Sequence, residues 1–206
     1  MNTRKRKTPQ ERKKQILAAA ELVLLEVGIE NFTVDQVIEK AGIAKGTVYN
    51  HYKNKDEMLG AIGVLALGIL HDRFFVEASQ HENSLDKIRA ICLAAYTYNQ
   101  DYPQYFDLIT YMERPEFEMS EQKYLQISQR LQNLMFSVVE HGKSRKEIRT
   151  SFDPMMVNYI VWSSCMGVVQ FVETKKKFLS NVHEIDTQQL VDTYIEMLLH
   201  GLENKK

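Results

Sequence analysis

The chain has 206 residues, 44% hydrophobic and 26% charged, with a net charge of −1. That length holds one large or two small domains, and that balance excludes a disordered or fibrous chain. No apolar run approaches the roughly 18 to 20 residues needed to cross a bilayer, and the N-terminus lacks the apolar centre of a signal peptide, so the expected place is the cytoplasm and no membrane partner is expected.

The near-zero net charge hides an asymmetry. Residues 1–60 hold 11 Lys and Arg against 8 Asp and Glu, and the remainder holds 15 against 19. Seven of the basic residues fall in the first fourteen positions, so a polyanion is expected at that end. The stretch "NTRKRK" has two readings: a solubility tail, or an arm that adds affinity near a minor groove through counterion release. Cys92 and Cys165 are far apart in sequence and have apolar neighbours, which fits reduced core thiols and neither a disulfide framework nor a metal site.

Apolar residues at three- and four-residue spacing recur through the chain and no segment alternates as a strand does, so the expected fold is all-α with about nine helices. Thr8-Pro9-Gln10-Glu11 opens the first with a capping threonine, a proline at the first position and a glutamate three residues on. Ile16, Ala20, Val23, Leu24 and Val27 form its apolar stripe and Gly28 ends it. Thr33-Val34-Asp35-Gln36 starts a second helix, with Val34, Val37, Ile38 and Ala41 on one face and Gly42 as its stop.

A short third helix follows over Lys45 to Tyr52. At about 100° per residue, Val48 and Tyr52 turn inward and Asn50 points nearly opposite, flanked by Thr47, Tyr49, His51 and Lys53. Such an arc of hydrogen-bonding, aromatic and basic groups suits a DNA groove: Asn pairs with adenine, Thr meets a thymine methyl or a phosphate, and Tyr, His and Lys bind phosphate oxygens. Gly46 leaves the helix start open to a close backbone, and the helix starts near Thr33, Lys45 and Asn54 offer amide donors to phosphate. Helix, glycine turn and helix is the helix-turn-helix arrangement.

Asn54-Lys55-Asp56-Glu57 caps a longer fourth helix whose apolar content continues past Leu70. Further helices are expected at Ser84 to Gln100, Pro103 to Glu113, Glu118 to His141, Asp153 to Lys175 and Thr187 to Leu202. Seven aromatic residues crowd into Ala95 to Phe117, which builds either a core or the wall of a cavity for an amphipathic ligand. Tyr105, Tyr111, Met112, Trp162, Met166 and Phe171 are the expected pocket residues, and Glu113 is a candidate partner for a cationic ligand. Two apolar C-terminal helices per chain fit a four-helix dimer interface, although an intramolecular core reads much the same.

The stretch "FTVDQVIEKAGIAKGTVYNHYKNKDEML" resembles the DNA-binding segment of the TetR family of transcriptional regulators, with its threonine-capped helix, Ala-Gly turn and Lys-Gly-Thr-x-Tyr-x-x-Tyr recognition helix. The likeness covers Gln10 to about Ile62, and "KEIRTSFDPMMVNYIVWSSCMGVV" is similar to the family's loop and penultimate helix. It implies a DNA-binding domain over 1–53 and a helical effector-binding and dimerisation domain over 54–206. It also implies a homodimer through the last two helices, a palindromic double-stranded operator and release by a small apolar or amphipathic ligand. Thr33, Lys45, Thr47, Tyr49, His51 and Lys55 match phosphate-contacting positions of the family, and Gly46, Thr47, Tyr49 and Asn50 match positions near base edges. One departure stands out: Arg145-Lys146 replaces the glycine usual before "EIR", which puts the loop geometry in question.

Two other classes fit the sequence less well. An enzyme lacks support, because His51, His71, His81, His141, His183 and His200 form no metal-spaced pair and neither a nucleophile elbow nor a phosphate loop is present. Neither catalytic residue, metal nor cofactor is therefore expected. A helical scaffold that has lost DNA binding would have no reason to keep Lys45, Tyr49 and Lys55, and an activator on the same scaffold stays open.

Overall fold

The computed structural model describes residues 7–117 and 121–205. Among them are nine helices and no strand: α1 (Pro9–Asn31), α2 (Val34–Ala41), α3 (Lys45–Tyr49), α4 (Lys55–Ser79), α5 (Ser84–Asp101), α6 (Pro103–Met112), α7 (Glu121–Ser144), α8 (Pro154–Val182) and α9 (Thr187–Leu202). Residues 2–6 of the arm lie outside the described residues, while its last residue, Lys7, donates to Gln15 Oε1 at 2.7 Å.

Helix starts follow the capping chemistry of the sequence. The Glu11 N–H donates to Thr8 Oγ1 at 3.2 Å while the Thr8 N–H donates to the Glu11 carboxylate at 2.7 Å, a reciprocal box. Asp153 accepts from the Met155 N–H at 2.9 Å and Asp186 from the Gln188 N–H at 2.8 Å. Gly28, with φ 73° and ψ 172°, breaks the regular helix as expected, but a further turn carries α1 on to Asn31. The expected stop of α8 at Lys175 was too early: the helix continues through Lys175-Lys176-Lys177, residues that favour helix and stay in solvent, and ends at Val182 before Glu184, whose φ is 53°.

The chain packs as two compact units, one formed by the chain to Leu67 with Gln104–Leu125, the other by Gly68–Pro103 with Gln126–Lys206. In the first, Ile16, Ala20, Val23 and Leu24 of α1 are buried, with Phe32, Val37, Val48 and Tyr52 completing the core of the N-terminal helices. Each fully buried Val or Leu contributes ~1.5–3 kcal/mol. Helix α6 belongs to this unit. Its Met112 Sδ lies against Gly63 of α4 so closely that a Cβ there would meet it at 2.0 Å, and the Tyr105 hydroxyl donates to the Glu21 carboxylate of α1.

In the second unit α5, α8 and α9 pack on one another, burying Ile88, Ile91, Val161, Val169, Ile195 and Leu199. The two thiols, distant in sequence, come together here: Cys165 Sγ approaches the Cys92 carbonyl at 3.8 Å and both are free and buried. The neighbouring Cys165 thiol, and then burial, hold the Cys92 thiol well above the usual range, so it stays protonated and unreactive. Arg73 of α4 pairs with Asp101 at 2.7 Å and lies over the rings of Tyr98 and Tyr102.

The loop after α7 holds its shape without the missing glycine. Lys146 takes φ 60°, and the Glu147 and Ile148 N–H groups both donate to the Gly142 carbonyl, at 2.8 and 3.2 Å. A lysine in that left-handed region costs about 1–2 kcal/mol relative to relaxed backbone.

One expectation needs correcting. By length and composition alone α4 and α8 are each apolar enough to cross a bilayer, contrary to the sequence reading. Part of each goes into protein interior: Met58, Leu59, Ile62 and Leu70 of α4 are fully buried, as are Val161, Val169 and Val172 of α8. The rest of α8 is unusual. Met156, Ile160, Ser163, Gly167, Phe171, Phe178 and Val182 are exposed and recur at helical spacing, so at about 100° per residue they share one arc of roughly 100°, away from the buried face.

Candidate functional site

Two capping devices bound α2 and set the helix-turn-helix. The Gln36 N–H donates to Thr33 Oγ1 at 3.3 Å, and the Thr33 N–H and hydroxyl both donate to Gln36 Oε1 at 2.9 Å. Gly42 then takes φ 62° and ψ 37°, its N–H shared between the Ile38 and Glu39 carbonyls, and this left-handed residue turns the chain into α3.

Helix α3 is shorter than expected. Regular helix ends at Tyr49, and the chain tightens as the His51 N–H donates back only three residues to Val48 while the Tyr52 N–H also reaches Val48. Val48 and Tyr52 remain the inward anchors, at 0% and 2% exposure. The Tyr52 hydroxyl is buried without a partner among the described residues; burial, with Glu57 adding to it, pushes the phenol up to about 12. Lys13 lies 5.2 Å over its ring.

On the outer side Lys45, Gly46, Tyr49, Asn50 and Lys53 are exposed, with Thr47 and His51 half-buried beside them. A Cβ added at Gly46 would meet nothing within 4 Å, so the fold itself has no need of glycine there. Thr33 caps the start of α2, Lys45, Gly46, Thr47 and Tyr49 lie on α3 and Asn50 and His51 directly follow it, and the Asp35–Lys45 bond brings the starts of the two helices together.

Lys55 differs from the rest. Its ammonium donates to the Ile29 carbonyl at 3.0 Å and lies 5.8 Å over the Phe32 ring, so half-buried Lys55 clasps the end of α1. Any phosphate contact must use its remaining donors.

Three features escaped sequence reasoning. Lys45 pairs with Asp35 at 3.0 Å across the turn, which raises the lysine above its ordinary value through that hydrogen bond and charge. Gln15 donates to the Ala41 carbonyl at 3.0 Å and accepts from Lys7 at 2.7 Å and Arg12 at 3.2 Å, tying the basic start of α1 to the turn. Lys40 pairs with Glu26 between α2 and α1. None leaves a sequence signal, because each joins residues brought close only by the packing of α1, α2 and α3.

The six expected pocket residues divide between the units. In the first, Tyr105 and Met112 are buried in the contacts with Glu21 and Gly63, and Tyr111 is half-buried edge-on to Phe117, ring centroids 5.6 Å apart. In the second, Met166 is buried and Trp162 half-buried. Phe171 is not on an interior wall: it lies on the outward stripe of α8 at 50% exposure. Glu113 is exposed just past α6. An open groove of about 430 Å³ runs along α9, lined by Glu184, Ile185, Gln189, Leu190, Thr193, Tyr194 and Met197. Among the described residues no cluster of three or more His, Cys, Asp or Glu could hold a metal ion.

Residues 16–62 match the family model described as "Bacterial regulatory proteins, tetR family". The chain is 23% identical over 192 residues to the "Fatty acid metabolism regulator protein" of Bacillus subtilis (strain 168), covering 93% of this chain and 95% of that one. It is 33% identical over 88 residues to the "Probable HTH-type transcriptional regulator ArpR" of Pseudomonas putida, 43% of this chain and 41% of that one. Among solved structures, the fatty acid degradation regulator FadR from Bacillus halodurans superposes with a TM-score of 0.70 at 21% identity, over 98% of this chain and 100% of that one. FadR from Bacillus subtilis in complex with stearoyl-CoA superposes with a TM-score of 0.69 at 20% identity, over 92% and 99%.

Proposed function

We propose, from the match of residues 16–62 to the tetR family model and the likeness to regulators along the chain, that this is a DNA-binding transcriptional regulator of the TetR family, a homodimeric repressor which leaves a palindromic operator when a long-chain acyl-coenzyme A binds. One observation carries the DNA half of this reading: α3 buries Val48 and turns an exposed arc of Lys45, Gly46, Tyr49 and Asn50 outward. Asn50 reads a base edge, Thr47 and Tyr49 stand between base and backbone, and Lys45, His51, Lys55 and the Thr33 end of α2 hold phosphates.

The reading head is assigned to residues 1–53 and effector binding and dimerisation to 54–206. Dimerisation is assigned to the outward stripe of α8 with Leu190, Tyr194, Met197 and Gly201 of α9. Met156, Ile160, Phe178, Val182 and Met197 are each more than half exposed in the single chain, and exposed Ser163 and Gly167 in the same stripe allow two helices to approach closely. A dimer meets a physical need, since two recognition helices about 34–36 Å apart read successive major grooves of a palindrome.

The acyl thioester comes from the relatives' named ligand and pathway and fits an amphipathic effector. Release requires that the ligand bind the DNA-incompetent arrangement more tightly, by about 1–3 kcal/mol for ordinary coupling. Tyr105 and Met112, which fix α6 against α1 and α4, are the residues through which a shift of α6 would reach the reading head. The protein is assigned to the cytoplasm, with no membrane partner, cofactor or catalytic activity.

The test adds stearoyl-CoA to the protein on a labelled operator duplex. Anisotropy should fall as the duplex is released, with a matching change in emission from Trp162, the single tryptophan. Saturating stearoyl-CoA that leaves both anisotropy and emission unchanged would remove the acyl thioester from the account.

A further inference from the structure

Resting on the DNA-binding reading, we propose that Asp35 limits the affinity of the protein for DNA by holding the Lys45 ammonium against α2 until a phosphate replaces it.

Asp35 is the second residue of α2. An acid there gains a little from the helix dipole, but the capping box is complete without it, because Thr33 and Gln36 each accept from the other's N–H. Its carboxylate turns instead across the glycine turn to Lys45, the first residue of α3, at 3.0 Å. The Lys45 ammonium also lies 5.8 Å from the centre of the Tyr49 ring, so one lysine is directed by two neighbours on the reading face.

The pair is built to exchange. The Lys45 and Asp35 side chains are 63% and 76% exposed, so it forms and breaks in solvent at small net cost. A DNA phosphate offers the same anionic oxygen to the same ammonium, and the bound state must either displace Asp35 or share the lysine with it. In both cases the carboxylate offsets part of the phosphate contact. Phosphate contacts carry no sequence information, so the restraint falls on specific and scrambled duplexes alike and keeps residence on arbitrary DNA short.

The experiment measures affinity for a duplex selected by the wild-type protein from a random library, and for its scrambled version, at low salt. Asp35→Asn should tighten binding to both by about two- to fivefold per subunit, with the gain shrinking as salt rises. In a Lys45→Gln background the same Asp35→Asn change should do nothing. A gain of equal size with and without Lys45 would reduce Asp35 to general repulsion of DNA and overturn the proposal. No gain, or a loss, would overturn it as well. If the folded wild type binds no duplex at all, the DNA-binding reading fails first; if it binds and Asp35→Asn is silent, only the role of Asp35 fails.

Discussion

The outer face of α3 and the outward stripe of α8 are both open to solvent, and their chemistry is opposite. The first presents Lys45, Gly46, Tyr49 and Asn50; the second presents Met156, Ile160, Gly167, Phe171, Phe178 and Val182. Exposure alone says that neither surface is spent on the fold. Composition says what each awaits. Hydrogen-bonding and cationic groups keep their hydration until a polyanion replaces it, whereas apolar area gains about 25 cal/mol per Å² when covered. The difference is what the proposed function rests on: a polyanion such as DNA suits the first surface, and an apolar partner, assigned above to a second copy of the chain, suits the other.

The comparison is most easily broken on the apolar side. Ile160 is 57% exposed, so Ile160→Asp should leave the protomer folded while placing two carboxylates in a symmetric interface. Sedimentation should show monomer where the wild type is a dimer, a weakening of about a hundredfold or more, and operator binding should be lost with it. A variant that stays dimeric would mean that the stripe of α8 is not the dimer face.

A smaller effect sharpens the polar side. Lys55→Ala removes the clasp on the Ile29 carbonyl, so stability should fall by about 1 kcal/mol in chemical unfolding. If its remaining donors also reach a phosphate, affinity should drop on every sequence and the salt dependence should lose about one contact per subunit. An unchanged salt slope with reduced stability would restrict Lys55 to the clasp.

Much of the reading head was legible because its signals are local. Thr8 and Thr33 with their Glu11 and Gln36 partners, Gly28 and Gly42 with positive φ, and Val48 and Tyr52 facing inward follow from spacing and cap chemistry within a few residues. Helix α9 was legible to its ends for the same reason, since Asp186 caps it. The Asp35–Lys45 pair, the Gln15 hub and the Tyr105–Glu21 contact were not, because each depends on how helices pack and no periodicity records that. The orientation of the expected pocket residues was not legible for a related reason. Aromatic density marks apolar surface but not which way a ring faces, so Phe171 belonged to the outward stripe and Tyr105 to a contact with α1. Lys146 lies between these cases: the missing glycine marked an unusual loop, and the structure answers with a lysine at φ 60°.

The central claim is that two copies of this chain read a palindrome, and the most direct measurement is selection of bound fragments from a random duplex library at near-physiological salt, followed by sequencing. The account predicts an enriched inverted repeat whose half-sites are centred about one helical turn apart. A folded, dimeric protein that enriches nothing, or enriches a single unpaired half-site, would contradict it.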